Sequence, residues 1–252
     1  MSATPVLRTE HLSRRFGGLT AVSDVSLSLP EGETVGVIGP NGAGKSTVIN
    51  LVTGHLKPSS GRVLIDGKDL TGARPWVITH AGVARTFQIV KPFRGMTVLE
   101  NVAIGILYGP HGVRRMSQAR KGAAGVLDET GLAHLAERAP GELSVADARR
   151  LEFAKALALR PRLLLLDEVM AGLRHREIES SLELIRTLKT RGITIVVVEH
   201  VMRAILAVSD RVVVLHHGRV LTEGRPREVL SDPQVVEAYL GHRYAQRRAD
   251  GS

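Results

Sequence analysis

A glycine-rich stretch at residues 39–47, GPNGAGKST, has the composition and order of a loop that binds phosphate groups. It fits the pattern G-x-x-x-x-G-K-[ST] and lies between a strand-like run, ETVGVIG, and a predicted helix. Glycines let backbone N–H groups curl around a polyphosphate, and the helix N-terminus adds partial positive charge. Lys45 would reach the β- and γ-phosphates, and Ser46 would offer its hydroxyl to Mg²⁺. This pattern predicts a nucleotide site rather than a structural turn.

Two carboxylates end the apolar run LLLLDE at residues 163–168. Asp167, at the carboxyl end of a strand, can hold the Mg²⁺ shell that phosphoryl transfer needs. Glu168 can polarise a water for attack on the γ-phosphate. A strand ending in Asp-Glu is by itself equally typical of a solvated strand end. Its combination with the phosphate loop is what indicates hydrolysis of a nucleoside triphosphate.

A histidine follows the apolar run ITIVVV, which ends in Glu-His at residues 199–200. The carboxyl ends of strands form the ligand side of a parallel sheet. His200 could therefore hydrogen-bond the γ-phosphate and orient the attacking water. The other nine histidines have no such placement, and we interpret them as surface or core-edge residues.

The elements that must position these residues can be read from turn signals and apolar periodicity. Strands are predicted at residues 6–12, 20–30, 33–39, 62–67, 162–168, 192–200 and 211–217. Helices are predicted at residues 45–52, 97–109, 119–132 and 175–190, around 151, and between the strands at 192–200 and 211–217. A Gly/Pro turn is predicted at 109–112 and a frayed tail at the end. The alternation of helix and strand after residue 151 predicts a parallel α/β sheet.

The composition excludes some kinds of site and disfavours others. The chain has 252 residues, 43% hydrophobic, which is enough for a large core, and it has no cysteine, which excludes disulfides and thiolate metal sites. The start of the chain lacks the apolar region of a signal peptide, and the longest apolar runs are too short to span a bilayer. The net charge of +9 is scattered and aromatics are 3% of residues, which favours a solvated basic surface over a nucleic-acid site.

The stretch LSVADARRLEFAKAL at residues 143–157 predicts a helix whose start is marked. Ser144 can cap the helix, Asp147 lies three residues later, and Leu151, Ala154 and Leu157 form an apolar stripe.

The order of these motifs resembles that of an ABC transporter ATP-binding subunit. The resemblance runs from about residue 6 to residue 241 and rests on Phe16, GPNGAGKST, TFQ at 86–88, LS…RRLE, LLLLDE, AGL at 171–173 and EH at 199–200. Finer features are similar to the ATPases of branched-chain amino-acid importers: RRFGGLTAVSDVSL, RTFQ…FRGMTVLENV and SDRVVVLHHGRVLTEGRPREV…AYLG.

The resemblance implies an α/β fold with a RecA-like P-loop nucleotide-binding core, an N-terminal antiparallel β subdomain and an inserted helical subdomain. Residues 1–252 would form one ATP-binding domain: 6–89 and 151–241 would be the core with its β subdomain, 90–150 the helical subdomain and 242–252 a tail.

The resemblance also implies ATP and Mg²⁺ as cofactors, with roles carried to matching positions. Phe16 would stack on adenine, Glu168 would be the general base and His200 the γ-phosphate sensor, while Ser46, Gln88 and Asp167 would hold Mg²⁺. The nucleotide would be bound by Phe16, Gly39, Pro40, Asn41, Gly42, Ala43, Gly44, Lys45, Ser46 and Thr47.

This chain departs from the family at the signature motif, Leu-Ser-Gly-Gly-Gln or a Leu-Ala-Tyr-Gly-Gln-like form. In the family this helix start contacts the γ-phosphate held by the other protomer of a head-to-tail dimer. Here it reads Ser144, Val145, Ala146 and Asp147. Ala146 adds a methyl and loses glycine's freedom at positive φ. An ionised Asp147 about 5 Å from a phosphate charge would cost roughly 3 kcal/mol at an effective dielectric constant of about 20, whereas the helix dipole returns at most about 1.

A second departure follows Glu168, where DEVMAGLRHRE has Val169 in place of the family's Pro, and Arg174 and His175 in place of Asn-Pro. The parts serving this chain's own ATP are intact, and those offered to a partner have changed. One hypothesis is a heterodimer with a second ABC ATPase, with two unequal sites. The competing interpretations are a homodimer of low activity and an artificially altered sequence.

We expect an ATPase that energises a membrane importer for branched-chain amino acids or a similar small solute. It would sit at the cytoplasmic face of the inner or plasma membrane on transmembrane permease subunits, with a solute-binding protein as an indirect partner and no nucleic acid. The alternatives are a lipid or lipopolysaccharide exporter ATPase and a non-hydrolysing regulator. An ABC ATPase acting on ribosomes is disfavoured, since the chain has neither a second such domain nor a coiled-coil insertion.

Overall fold

The computed structural model describes residues 4–88 and 90–240, so the predicted tail at 242–252 lies outside the described residues. The strands are β1 (Leu7–Phe16), β2 (Leu19–Leu29), β3 (Thr34–Ile38), β4 (Ser60–Ile65), β5 (Lys68–Asp69), β6 (Val83–Arg85), β7 (Leu163–Asp167), β8 (Thr194–Val198), β9 (Arg211–His216) and β10 (Arg219–Gly224). The helices are α1 (Lys45–Val52), α2 (Pro75–His80), α3 (Val98–Tyr108), α4 (Met116–Glu129), α5 (Val145–Leu157), α6 (His175–Thr190), α7 (Met202–Val208), α8 (Pro226–Ser231) and α9 (Pro233–Leu240).

A six-stranded sheet positions the predicted site residues. Its order is β10-β9-β3-β8-β7-β6; all neighbours are parallel except β10, which pairs antiparallel with β9. Every residue of β3, β7 and β8 is buried, which is why these strands read as continuous apolar runs. Their carboxyl ends meet at one edge of the sheet, and Gly39, Glu168 and Glu199 each follow one of these ends.

The predicted parallel alternation is observed, but the sheet has two strands that the sequence patterns did not indicate. β6 is three residues long, too short for periodicity to register, and β10 is an antiparallel edge strand after a tight turn. A separate antiparallel sheet, in the order β2-β1-β4-β5, holds the N-terminal strands.

Three apolar clusters organise the packing. One joins the antiparallel sheet to one face of the central sheet and includes residues of α1. The second covers the other face with residues of α5, α6 and α7. The third packs α3, α4 and part of α5 against one another, and includes Leu151 and Ala154 of the predicted stripe. The division of the chain at residues 90 and 150 stays a prediction.

The start of α3 is fixed by local capping chemistry. Thr97 and Glu100 form a capping box at the start of α3, so the backbone N–H of each is bonded by the other's side chain. Among the described residues, no helix combines the length and apolarity that crossing a membrane requires.

Candidate nucleotide-binding and hydrolysis site

The predicted phosphate loop connects β3 to α1 and depends on its glycines. Gly39, Gly42 and Gly44 have φ values of +152°, +79° and +101°. A Cβ atom at Gly39 would lie 2.1 Å from the carbonyl oxygen of Leu215, and one at Gly44 would lie 2.6 Å from that of Ala21. Among the described residues, nothing lies within 4 Å of a Cβ built at Gly42, so the positive φ is what favours glycine there.

Lys45 is the first residue of α1 and turns back over the loop. Its ammonium group donates to the carbonyl oxygens of Gly39 at 2.7 Å and Pro40 at 3.1 Å. Burial lowers the pKa of Lys45, and the carboxylates of Glu168 and Asp167 oppose that shift. The two hydrogen bonds hold the ammonium group of Lys45 at the loop, where phosphate oxygens can replace the two carbonyl oxygens as acceptors.

Asp167, at the end of β7, is buried and only partly satisfied. Its backbone N–H donates to Thr86 Oγ1 at 3.1 Å, and Oδ2 accepts from Arg85 Nη2 at 3.2 Å. Oδ1 has no hydrogen-bond partner within the described part of the chain. Burial raises the pKa of Asp167, and Arg85 opposes the rise.

The unpartnered Oδ1 of Asp167 fits Mg²⁺, which takes oxygen ligands and keeps few protein ones. Residues 4–88 and 90–240 contain no group of three or more His, Cys, Asp or Glu side chains that could hold a metal alone. Oxygens of the nucleotide and of Ser46, whose side chain is exposed in the first turn of α1, would therefore have to complete the shell.

Glu168 lies where three predicted residues meet. It has a left-handed backbone, φ +52°, and its N–H donates to the carbonyl oxygen of Val198 at 2.9 Å. Its side chain accepts a hydrogen bond from Gln88 Nε2, and Oε1 lies 3.7 Å from His200 Nδ1. The structure thus brings Gln88 and His200 to Glu168; Gln88, predicted as a Mg²⁺ ligand, is bonded here to the carboxylate.

Two site residues were missed in the sequence. Arg85 of β6 donates to Asn50 Oδ1 at 2.6 Å as well as to Asp167, so it ties α1 to β7. Glu199 is fully buried; its Oε1 accepts the backbone N–H of Met170 at 2.8 Å. Burial raises the pKa of Glu199, and the bond from Met170 opposes this. A charged residue ending an apolar strand was the only available signal for Glu199.

Phe16, predicted to stack on adenine, ends β1 with 42% of its surface exposed. The guanidinium of Arg14 lies 4.6 Å from its ring centroid, a cation–π contact. An exposed ring in this setting can receive a planar base.

The start of α5 is held together by its own residues. Ser144 caps the helix by accepting the N–H of Asp147 at 3.1 Å, and its hydroxyl donates to Asp147 Oδ2 at 2.6 Å. Oδ1 of Asp147 lies 3.8 Å from Arg150 Nη1. These two contacts reduce the electrostatic cost of placing the Asp147 carboxylate near a phosphate, compared with a carboxylate that has no partner. Val145 beside them is 68% exposed.

The segment after Glu168 divides into a buried and an exposed half. Val169 and Met170 are buried in the core. Arg174 precedes α6 and donates its N–H to Glu177 Oε2 at 2.7 Å. His175 is exposed and lies 2.8 Å from Arg203 Nη1.

Comparison with known proteins gives matches along most of the chain. A family described as "ABC transporter" matches residues 22–171, and one described as "Branched-chain amino acid ATP-binding cassette transporter" matches residues 219–245. The high-affinity branched-chain amino acid transport ATP-binding protein LivG of Escherichia coli K12 is 40% identical over 250 residues, covering 94% of this chain and 98% of its own. BraF, of the same description, from Pseudomonas aeruginosa is 38% identical with the same coverage.

Solved structures of ATP-binding cassettes are also similar to this chain. A nucleotide-free ATP-binding cassette from an ABC transporter aligns with a TM-score of 0.85 at 35% identity, covering 94% of this chain and 100% of its own. An ABC transporter cassette in its ADP conformation aligns with a TM-score of 0.84 at 36% identity, covering 94% and 99%. These likenesses confirm the expected α/β fold with a RecA-like P-loop core.

Proposed function

Because this chain belongs to the ABC transporter family of ATP-binding subunits, which are ATPases coupled to transport, we propose that it energises the uptake of branched-chain amino acids. Relatives named for that transport match 94% of the chain, and the match at residues 219–245 points to the same group. The observation that carries the hydrolytic role is the meeting of Gln88 and His200 at Glu168, on the sheet edge that also bears the phosphate loop.

In the proposed mechanism the backbone amides of residues 39–47 bind the phosphates and Lys45 pairs with them. Ser46, Asp167 and Gln88 would hold Mg²⁺, which when bound neutralises charge on the β- and γ-phosphates. Phe16 stacks on adenine.

Glu168 acts as general base. The water oxygen bonds to the γ-phosphorus, the bond from that phosphorus to the β-phosphate oxygen breaks, and the water's proton passes to the Glu168 carboxylate. His200 donates a hydrogen bond to the γ-phosphate. If Gln88 served the Mg²⁺ shell, its side chain would no longer occupy the Glu168 carboxylate, and a carboxylate oxygen would be free for the proton.

Gln88 also starts the path to the transport partner. The carbonyl oxygen of Gln88 accepts from Arg149, and that of Lys91 accepts from Lys155 Nζ at 3.0 Å. A change at Glu168 is thereby transmitted to α5 and to the helical subdomain at residues 90–150. That subdomain contacts the permease subunits at the cytoplasmic face of the inner membrane, and a solute-binding protein acts on the permease from the other side.

The assembly is an asymmetric heterodimer in this proposal. The groups that serve this chain's own ATP are intact, whereas Val145, Ala146 and Asp147 present a methyl and a carboxylate where the family has glycine and glutamine. Arg174 and His175 depart from the family in the second segment that faces a partner. This chain's site, completed by a partner's signature, hydrolyses ATP, and the partner's site turns over slowly.

The transport role is tested by uptake in the native host. Lys45→Ala in the chromosomal gene is expected to abolish ATP-driven uptake of labelled leucine, isoleucine and valine, while glucose uptake stays unchanged. Normal uptake of all three amino acids by the Lys45→Ala strain refutes the solute assignment and leaves the ATPase untouched.

The asymmetry is tested on the purified chain alone. Steady-state ATPase is compared with that of an Ala146→Gly/Asp147→Gln double variant, with Glu168→Gln as the blank. A rate at least about tenfold higher, about 1.4 kcal/mol, supports a signature that limits the homodimer. Equal, substantial rates mean that Val-Ala-Asp works as a signature, and the asymmetry is then wrong.

A further inference from the structure

The first residue of the phosphate loop is bonded to the C-terminal helix. The backbone N–H of Gly39 donates to the phenol oxygen of Tyr239, at 2.5 Å and 200 residues apart. Gly39 lies one residue beyond β3, whose last pairing joins Ile38 to Val214. It is buried. The Tyr239 hydroxyl therefore satisfies a backbone donor that lies past the end of the sheet ladder.

The second polar group of Gly39 belongs to the nucleotide site. Its carbonyl oxygen accepts from Lys45 Nζ, the ammonium group expected to reach the phosphates. Tyr239 and Lys45 thus hold the two sides of one glycine, and the carbonyl oxygen of Leu215 closes off the space where a Cβ would lie. A rotation at Gly39 would move the Pro40 peptide and the acceptor of Lys45 together.

The two ends of the loop are held by different kinds of group. At the exit, backbone bonds suffice: Gly218 N–H donates to the Ala43 carbonyl at 3.0 Å, and Val48 N–H donates to that of Gly44 at 2.9 Å. At the entry, the holding group is a side chain. The bond at the entry can therefore be removed by a single side-chain substitution.

Helix α9 is docked firmly enough to present the hydroxyl. Val235 is 3% exposed, and Tyr239, four residues later, is half-buried on the same helix face. Both belong to the apolar cluster that includes Ile38 and Val214. The ring of Tyr239 is thus fixed by packing that does not depend on its hydroxyl.

We propose that Tyr239 is a positioning residue for the phosphate loop, through which the C-terminal helix sets the affinity for nucleotide. The ring docks α9, and the hydroxyl fixes the conformation of Gly39 from which the loop binds phosphate. The inference rests on nucleotide binding at residues 39–47 and is independent of the transported solute and of the dimer partner.

The test is Tyr239→Phe in the full chain, which removes one oxygen and keeps the ring, beside Tyr108→Phe, the same change on a 70% exposed tyrosine. ADP affinity is measured with a fluorescent analogue, since ADP binding needs no second protomer. We expect about five- to tenfold weaker binding for Tyr239→Phe, because a buried donor loses its partner, and an unchanged value for Tyr108→Phe.

The split between KM and kcat separates positioning from a general loss of folded protein. For Tyr239→Phe the KM for ATP is expected to rise with the ADP Kd, while kcat at saturating ATP stays within about twofold. A lower active fraction would reduce kcat and leave Kd unchanged. Nucleotide affinity within twofold of wild type in a folded Tyr239→Phe overturns the proposal.

If Tyr239→Phe does not fold, the positioning role is tested on the wild-type chain instead. Amide hydrogen exchange by NMR without nucleotide should show Gly39 as protected as the amides of β3. Exchange of Gly39 as fast as that of the open Gly42 would mean that the bond to Tyr239 is not kept, and would refute the positioning role.

Discussion

The edge of the central sheet and the start of α5 are built in opposite ways. At the sheet edge the contacts join residues far apart in the chain: Arg85 with Asp167, Glu168 with Val198, Gly39 with Tyr239. At the start of α5 the contacts join Ser144, Asp147 and Arg150, within six positions. The first set depends on the whole fold, and the second lies within about two turns of one helix.

This difference determines how each region tolerates substitution. A change at the sheet edge disturbs buried partners on several elements, and a buried group left without its partner is costly. A change at the start of α5 leaves the fold intact as long as the new residues still cap the helix, as Ser144 and Asp147 do. The start of α5 can therefore accept substitutions without loss of the domain.

The largest expected effect breaks a long-range contact. Arg85→Met leaves Asp167 buried without its cation, and removing one partner of a buried pair costs about 3–5 kcal/mol. Burial already raises the pKa of Asp167, so protonation of the carboxyl would limit the loss of stability to about 3 kcal/mol. A melting temperature about 6–12 °C lower is expected by calorimetry.

Arg162→Met is the matched control for that change, because its pairs with Glu31 and Asp66 are about half exposed. It should cost under about 1 kcal/mol. Equal losses for the two variants would contradict the ranking of long-range buried contacts above surface ones.

Glu168→Gln tests the same edge by chemistry rather than by stability. The amide cannot take a proton from water, so single-turnover ATP hydrolysis should fall about 10²–10³-fold. ATP affinity should stay within about threefold. Glu31→Gln, an exposed residue away from the site, should keep the full rate. Retained hydrolysis in Glu168→Gln would assign the base elsewhere.

Glu199 provides an intermediate effect, since it positions the segment after Glu168 through Met170. Glu199→Met keeps the size and removes the acceptor; kcat should fall about tenfold with the ATP KM nearly unchanged. Glu199→Gln keeps an acceptor oxygen and should stay within about threefold. If both variants lose equal activity, the hydrogen bond to Met170 is not the cause.

The pH dependence of stability should also single out Glu199. Burial raises the pKa of its carboxyl in the folded chain, so its contribution is fully present below the unfolded pKa and is lost as pH rises through the folded one. Wild type should therefore lose stability relative to Glu199→Gln as pH rises from the ordinary pKa of a carboxyl group to the raised pKa of Glu199 in the folded chain. Parallel unfolding curves at all pH values would mean that this carboxyl does not titrate in that range.

The smallest effect is expected at the start of α5. Ser144→Ala removes a local cap and should lower stability by about 1 kcal/mol, or about 2–4 °C in melting temperature. ADP affinity should not change, because this turn serves no part of the chain's own phosphate loop. A weakened ADP site in Ser144→Ala would contradict the independence of the phosphate loop from this turn.

Local pattern was sufficient for most elements. The helices predicted at residues 45–52 and 175–190 match α1 and α6, and the Ser144 cap lies where Ser-x-x-Asp indicated it. These features follow from a short motif, an apolar period or a cap, all of which act within one or two turns.

Long-range contacts were beyond such patterns. Arg85 lies on a three-residue strand and contacts partners 35 and 82 residues away, and Tyr239 meets a loop 200 residues away. No periodicity encodes such pairs. The compensation of Asp147 by Arg150, in contrast, is an i, i+3 pair that was readable from spacing alone.

Helix α5 also has a mechanical consequence. Its side chains form two further hydrogen bonds with Lys91, shortly after Gln88: Glu152 Oε1 accepts the Lys91 N–H at 3.3 Å, and Lys155 Nζ donates to the Lys91 carbonyl. From Ser144 to Lys155 the helix is a rod about 16 Å long. A displacement of its exposed N-terminal end would therefore move Gln88 and Lys91 as well, because the helix between them is stiff. In the proposed dimer, that stiffness would let a conformational change at one nucleotide site reach the neighbouring protomer.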